Sequence, residues 1–304
     1  MLRPPSPHWL SQDPGMKTVL IHGMVMAPTF WSCFAPSIVR EGCAAAYPLP
    51  GHSPWTLDGL SDALKTTDII YAYARAIERD FGGEPVTLIG HSTGGFVSLL
   101  LARYRPDLVS NVILMGAFAC GRFVGQERLA ARILRLPLLG RLLFIRLFTR
   151  WIATRETFRW GSLECVFDKT AGWETDETIA AMEQVREHLM KSQADDIVAF
   201  VSWMSQTSII DELALIDVPV LNIIGARDAI VSPSHQIHLS GRLPRVQTVI
   251  LDRVGHLPMA EAREKVDQLI GTFLLFGPLT SSRKSDLTRS VTPEPFRLPL
   301  PLGS

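Results

Sequence analysis

Five consecutive residues, Gly90-His91-Ser92-Thr93-Gly94, have the types and the spacing for acyl-transfer chemistry. They follow the pattern G-x-S-x-G. A nucleophile on a tight strand-to-helix turn has strained backbone angles, and side chains two positions to either side of it would clash. Such a turn lifts the serine hydroxyl out of the fold. It also aims the next amide at the same point, beside a helix N-terminus that favours negative charge. A serine nucleophile needs a base, and the base needs an orienting acid. Asp228, in Gly225-Ala226-Arg227-Asp228, and His256, in Val254-Gly255-His256, are the candidates. Their order along the chain, Ser then Asp then His, is the one expected with a nucleophile on this kind of turn. Each also has a plain structural reading: a buried serine in a glycine-rich turn, a carboxylate capping a turn, a satisfied loop histidine. The joint occurrence favours the chemical one. The backbone N–H groups of Met24 and Thr93 are assigned as the oxyanion hole, with Gly23 letting the chain approach closely. His22, at a strand end before that loop, is read as structural.

These residues need elements that bring them to one edge. Short apolar runs at 18–22, 44–49, 86–90, 111–116, 218–225 and 247–253 read as strands. Several are almost continuously apolar, as suits strands covered on both faces of a parallel sheet. Helical patterns lie at about 66–81, 94–104 and 261–276. The alternation implies an open, doubly wound parallel sheet, which presents its site at the carboxyl ends of the strands. Ser92, Asp228 and His256 each follow a predicted strand at that edge. The alternation breaks between about 117 and 217, where a helical pattern is long enough to form a separate cap.

With these pieces in place, the chain resembles the α/β-hydrolase superfamily. The resemblance rests on His22-Gly23-Met24 with Trp31, Pro50-Gly51-His52-Ser53, the Gly90–Gly95 turn, Gly225-Ala226-Arg227-Asp228 and Gly255-His256, and it runs from about Lys17 to Phe276. It implies an α/β-hydrolase fold and a Ser92–His256–Asp228 triad. It also implies a helical cap over the pocket, inserted after the strand that follows the nucleophile helix, with no metal and no organic cofactor. Little room precedes Lys17 for an opening hairpin, so a mostly parallel sheet of about six strands is expected. Pro48 stands where an acid usually precedes the P-G-H-S turn, and His52 and Ser53 read as turn residues. Serine at the nucleophile position argues against the branches that use Asp there.

The expected organisation is an N-terminal tail at 1–15, a core at 16–117 and 211–277, a cap or lid at 118–210 and a disordered C-terminal tail at 278–304. The proline-rich start carries no signal-peptide pattern, and Met16, directly before a strand, is an alternative start to Met1. The chain has 304 residues, with 30 Lys and Arg against 30 Asp and Glu, so no basic excess points to nucleic acid. Four dispersed cysteines form no CxxC pair, and no apolar run reaches membrane-spanning length. A cytoplasmic location is expected. Between 121 and 160, arginines recur among leucines and phenylalanines without a lysine. They read either as solvated partners of the acidic half of the cap or as a basic surface for peripheral contact with anionic membrane. The functional expectation is a serine hydrolase cleaving a carboxylic ester, thioester or lactone of an apolar small molecule. Carbon–carbon bond hydrolysis and cofactor-free perhydrolysis on the same triad remain open, as does a non-catalytic receptor or membrane-associated scaffold. Oligomeric state is not legible.

Overall fold

The computed structural model describes residues 2–59, 64–121, 133, 136, 139–170 and 175–277. Its elements follow in chain order. Strand β1 spans His8–Gln12 and β2 Lys17–Ile21, followed by the short helix α1 at Phe30–Phe34. Then come β3 at Cys43–Tyr47, α2 at Thr66–Phe81, β4 at Val86–His91, α3 at Thr93–Tyr104 and β5 at Val109–Met115. Between β5 and β6 the described residues include α4 at Gly140–Ile152, α5 at Arg155–Leu163, α6 at Asp176–Lys191 and α7 at Ala194–Gln206. The chain closes with β6 at Val220–Gly225, α8 at Pro233–Ser240, β7 at Val246–Leu251, α9 at Pro258–Glu261 and α10 at Arg263–Phe276.

The strands form one seven-stranded sheet in the order β1-β3-β2-β4-β5-β6-β7. All pairs are parallel except β1 with β3. Alternate strand residues serve opposite faces, as the pleat requires. Val19 and Ile21 pack with Leu88, Leu114 and the α2–α3 layer; Leu20, Ile89, Ile113 and Ile223 pack toward α1 and α10. Burial on both faces explains why these strands read as continuous apolar runs. The register levels the carboxyl ends: Ile21 lies opposite Gly90, Gly90 opposite Leu114, and Gly225 opposite Leu251. The loops after β2, β4, β6 and β7 therefore open on one edge.

The segment before Lys17 is not a tail. His8–Gln12 adds an antiparallel edge strand to β3, with a bulge between Trp9 and Ser11, so the sheet has seven strands and not six. Leu2 is buried, the Trp55 indole N–H donates to the Arg3 carbonyl (2.8 Å) and Arg79 donates to the Pro5 carbonyl (2.8 Å). The prolines that hide this strand in the sequence, Pro4, Pro5, Pro7 and Pro14, all lie outside it, so none removes a donor from the β1–β3 ladder. The helical pattern at 261–276 is divided: Ala262 leaves helical geometry (φ −138°, ψ 48°) and separates α9 from α10. Helix α7 ties the inserted helices to the core, its buried Asp196 accepting the Leu57 amide at 2.9 Å. Among the described residues no helix is long and apolar enough to cross a membrane. Arg122, Arg128, Arg132, Arg135 and the stretch 278–304 lie outside the described residues.

Candidate active site

Ser92 stands between β4 and α3 with φ 52° and ψ −115°, a conformation that L-residues avoid. Two glycines make the turn sterically possible. A Cβ on Gly90 would lie 2.5 Å from Gly95 Cα, and one on Gly94 would overlap the Ile21 carbonyl oxygen. The Ser92 amide is tied to the Met115 carbonyl of β5 at 2.8 Å, which fixes the turn to the sheet.

Asp228 and His256 meet at that edge. His256 Nδ1–H donates to Asp228 Oδ2 at 2.8 Å, with both side chains essentially sealed from solvent. The Asp228 carboxylate is fully used. Oδ1 accepts the amides of Ile230 (2.7 Å) and Val231 (2.9 Å), and Oδ2 also accepts the Gln236 side-chain amide (2.9 Å). Burial pushes the carboxyl up, but the His256 ring and these backbone donors outweigh it, so the group lies below the usual aspartate range and stays charged. With Nδ1 donating, Nε2 of His256 is left as the basic nitrogen. Ser92 and His256 line the same cavity, and among the described residues no hydrogen bond joins the Ser92 hydroxyl to the ring. Of the contacts among Ser92, His256 and Asp228, the Asp228–His256 hydrogen bond is the one formed among the described residues.

The loop carrying His256 is clamped from two directions. Its amide donates to the Cys165 carbonyl at 2.8 Å. The Glu261 carboxylate accepts the amides of Gly255 (2.9 Å), Leu257 (3.1 Å) and Phe167 (2.7 Å). The inserted segment after α5 thus holds the histidine loop directly. His91, beside the serine, donates Nε2–H to the His256 carbonyl at 2.9 Å. Burial, reinforced by the nearby His256 ring, pushes His91 down to about 3 and keeps it neutral.

The loop after β2 is braced by two buried histidines. His22 Nε2 accepts the Leu49 amide (3.2 Å) and its Nδ1–H donates to the Gly23 carbonyl (2.8 Å). His52 Nε2 accepts the Val25 amide (3.1 Å) and its Nδ1–H donates to the Pro50 carbonyl (3.1 Å). An amide can be accepted only by an unprotonated ring nitrogen, so both rings are neutral. Burial accordingly pushes His52 down to about 4 and His22 well below the ordinary histidine range. The Met24 and Thr93 amides, flanking the serine, have no acceptor among the described residues. Met24 and Thr93 line a cavity of about 310 Å³ that is also walled by residues such as Phe30, Phe118, Phe144, Trp151, Phe158 and Met182. Among the described residues no Asp, Glu, Lys or Arg lines it.

A profile of the alpha/beta hydrolase family matches residues 18–269. The chain belongs to the α/β hydrolase family. A pimeloyl-[acyl-carrier protein] methyl ester esterase of Aromatoleum aromaticum is similar at 27% identity, over 83% of this chain and 95% of that one. In structure, a thermophilic esterase from Thermogutta terrifontis is similar at TM-score 0.68 and 19% identity, covering 90% of this chain and 94% of its own. The enol-lactonase of Burkholderia xenovorans follows at 0.64 and 15%, covering 89% of this chain and 96% of its own.

In this α/β hydrolase the residues singled out in sequence, Ser92, Asp228, His256, Met24 and Thr93, converge on one edge of the sheet. His22 has the structural role expected of it. Gln236, Glu261 and His52 were missed as supports. Gln236 sits eight residues after Asp228, and Glu261 six after Gly255 and four after Leu257, inside helices α8 and α9, where a polar residue is unremarkable. His52, read as a turn residue, reaches back 27 positions to Val25.

Proposed function

We propose that this α/β hydrolase is a serine esterase acting on a carboxylic ester, thioester or lactone of an apolar small molecule, through an acyl-enzyme. The observation that carries the reading is the sealed Asp228–His256 pair, with His256 and Ser92 on the wall of one cavity that no Asp, Glu, Lys or Arg lines among the described residues. In this reading the Ser92 hydroxyl attacks the carbonyl carbon and its proton passes to His256 Nε2. The negative charge that develops on the carbonyl oxygen is met by the Met24 and Thr93 amides. No hydrogen bond among the described residues has to break for them to receive it. Collapse breaks the bond to the leaving oxygen or sulfur, which takes the proton from His256. Water, deprotonated by the same nitrogen, then releases the acid and returns the proton to Ser92. Asp228 holds the ring in the required tautomer and stabilises its charged form.

Residues 118–210 act as the cap in this reading, roofing the cavity through Phe144, Trp151 and Met182, with 211–277 and the chain up to 117, β1 included, as the core. The esterase relative supports an ester as the bond cleaved. A cytoplasmic location fits Cys33, Cys43, Cys120 and Cys165, none of which is in a disulfide. The test is a chain-length series of nitrophenyl esters and thioesters with a fluorophosphonate label, on wild type and Ser92→Ala. Labelling and turnover in the wild type alone would support the reading. Turnover surviving in Ser92→Ala would end it.

A further inference from the structure

Helix α4 is apolar on two sides. Its inner face, Phe144, Phe148 and Ile152, is buried, and Phe144 and Trp151 line the cavity. Its outer face should then be polar, and it is not. Leu142 is 65% exposed, Leu139, just before the helix, 66%, Leu147 43% and Leu143 39%. At 100° per residue these four leucines fall on one arc, and Arg146 and Arg150 fall between them. No acidic residue occurs in Gly140–Ile152.

Four of the described arginines of this region divide into two groups. Arg141 pairs with Asp195 of α7 at 2.9 Å, and Arg155 pairs with Glu183 of α6 at 3.2 Å. Arg146 and Arg150, on the leucine arc, form no ion pair among the described residues. The charges with acid partners therefore lie away from the leucines, and the unpaired ones lie among them.

We propose that the outer face of α4 is a docking surface for an anionic lipid bilayer. A helix lying in the interface buries leucines in the acyl boundary, while arginine stems follow the apolar surface and keep their guanidinium groups at headgroup level. Anionic headgroups supply the partners that Arg146 and Arg150 lack among the described residues. A second copy of the chain fits worse. A twofold contact sets the same patch against itself, so two leucine–arginine arcs would bring four guanidinium groups together with no acid on either helix. The docked helix would lie between the bilayer and the cavity, since its other face is cavity wall.

The surface does not depend on which bond Ser92 attacks, and the test is a binding measurement, not a turnover measurement. The full chain is sedimented with phosphatidylcholine vesicles and with vesicles containing phosphatidylglycerol, at low and high salt. Two variants are compared, Arg146→Gln/Arg150→Gln and Leu142→Gln/Leu147→Gln. None of the four residues lines the cavity, and melting temperature checks that each variant folds. The wild type should bind the phosphatidylglycerol vesicles, ignore the neutral ones and release at high salt. The arginine variant should bind on the order of 30-fold more weakly, and the leucine variant at least about tenfold more weakly. If the leucine variant fails to fold, the arginine variant decides alone. Wild type left in the supernatant with anionic vesicles overturns the proposal, as does undiminished binding by the arginine variant. A wild-type dimer in vesicle-free sedimentation velocity that the leucine variant dissolves also overturns it and assigns the face to a second copy.

Discussion

At the residue scale the candidate site is defined by how completely its supporting groups are used. Asp228 accepts four hydrogen bonds, so its carboxylate cannot rotate away from His256 without breaking the others. Glu261 does for the histidine loop what Asp228 does for the ring. Glu261→Gln would turn one acceptor oxygen into a donor facing amide donors. It should lower kcat on a soluble ester by about 10- to 100-fold with little change in KM, read by steady-state kinetics. A variant with wild-type kcat would show that the loop holds without it. Ser92 carries a different tension. Its positive φ has a conformational cost of about 1–3 kcal/mol, which glycine would not bear. Ser92→Gly should therefore melt at or above Ser92→Ala while both lack hydrolysis; the reverse order in calorimetry would remove the strain argument.

At the element scale the loop after β2 depends on rings that must stay neutral. His52 and His91 are pushed to about 4 and about 3, against an unfolded value of 6.5, and His22 is also held low. In the window between the folded and unfolded values the unfolded chain binds the extra proton. Stability is therefore full above about pH 6.5 and drains as pH falls toward 4 and 3, by up to about 1.4 kcal/mol per pH unit for each ring. Denaturant titrations at stepped pH should show this slope, and His52→Gln should flatten it by about one proton. An unchanged slope would mean that His52 titrates in the folded state. His52→Leu should also reduce kcat, because leucine offers no acceptor to the Val25 amide beside Met24.

At the scale of the whole molecule the N-terminal segment belongs to the core. Deleting residues 1–15 would strip β1 from the edge of β3, uncover Phe81, against which Trp9 packs at 5.7 Å, and leave the Trp55 indole unpaired. The truncated chain should melt on the order of 10 °C lower and aggregate through the exposed β3 edge, by calorimetry and light scattering. Its turnover per folded molecule should change little, since β1 lies three strands from β4. Unaltered melting would return residues 1–15 to the status of a tail.

The sequence by itself determined the six parallel strands, the edge and the order of the candidate residues on it. Those are local signals: continuous apolar runs mark doubly covered strands, glycines mark the turn, and a residue just past a strand end must emerge at the carboxyl edge. The tertiary structure alone decided what depends on distant partners. His52 meets Val25, Glu261 meets Phe167 of the inserted segment, and β1 pairs with β3 across prolines that read as loop. It also decided which arginines are spent on acids and which stand among exposed leucines. Periodicity shows which side of a helix is apolar, but only packing shows which apolar side is covered. In α4 both sides are apolar, and the fold covers one.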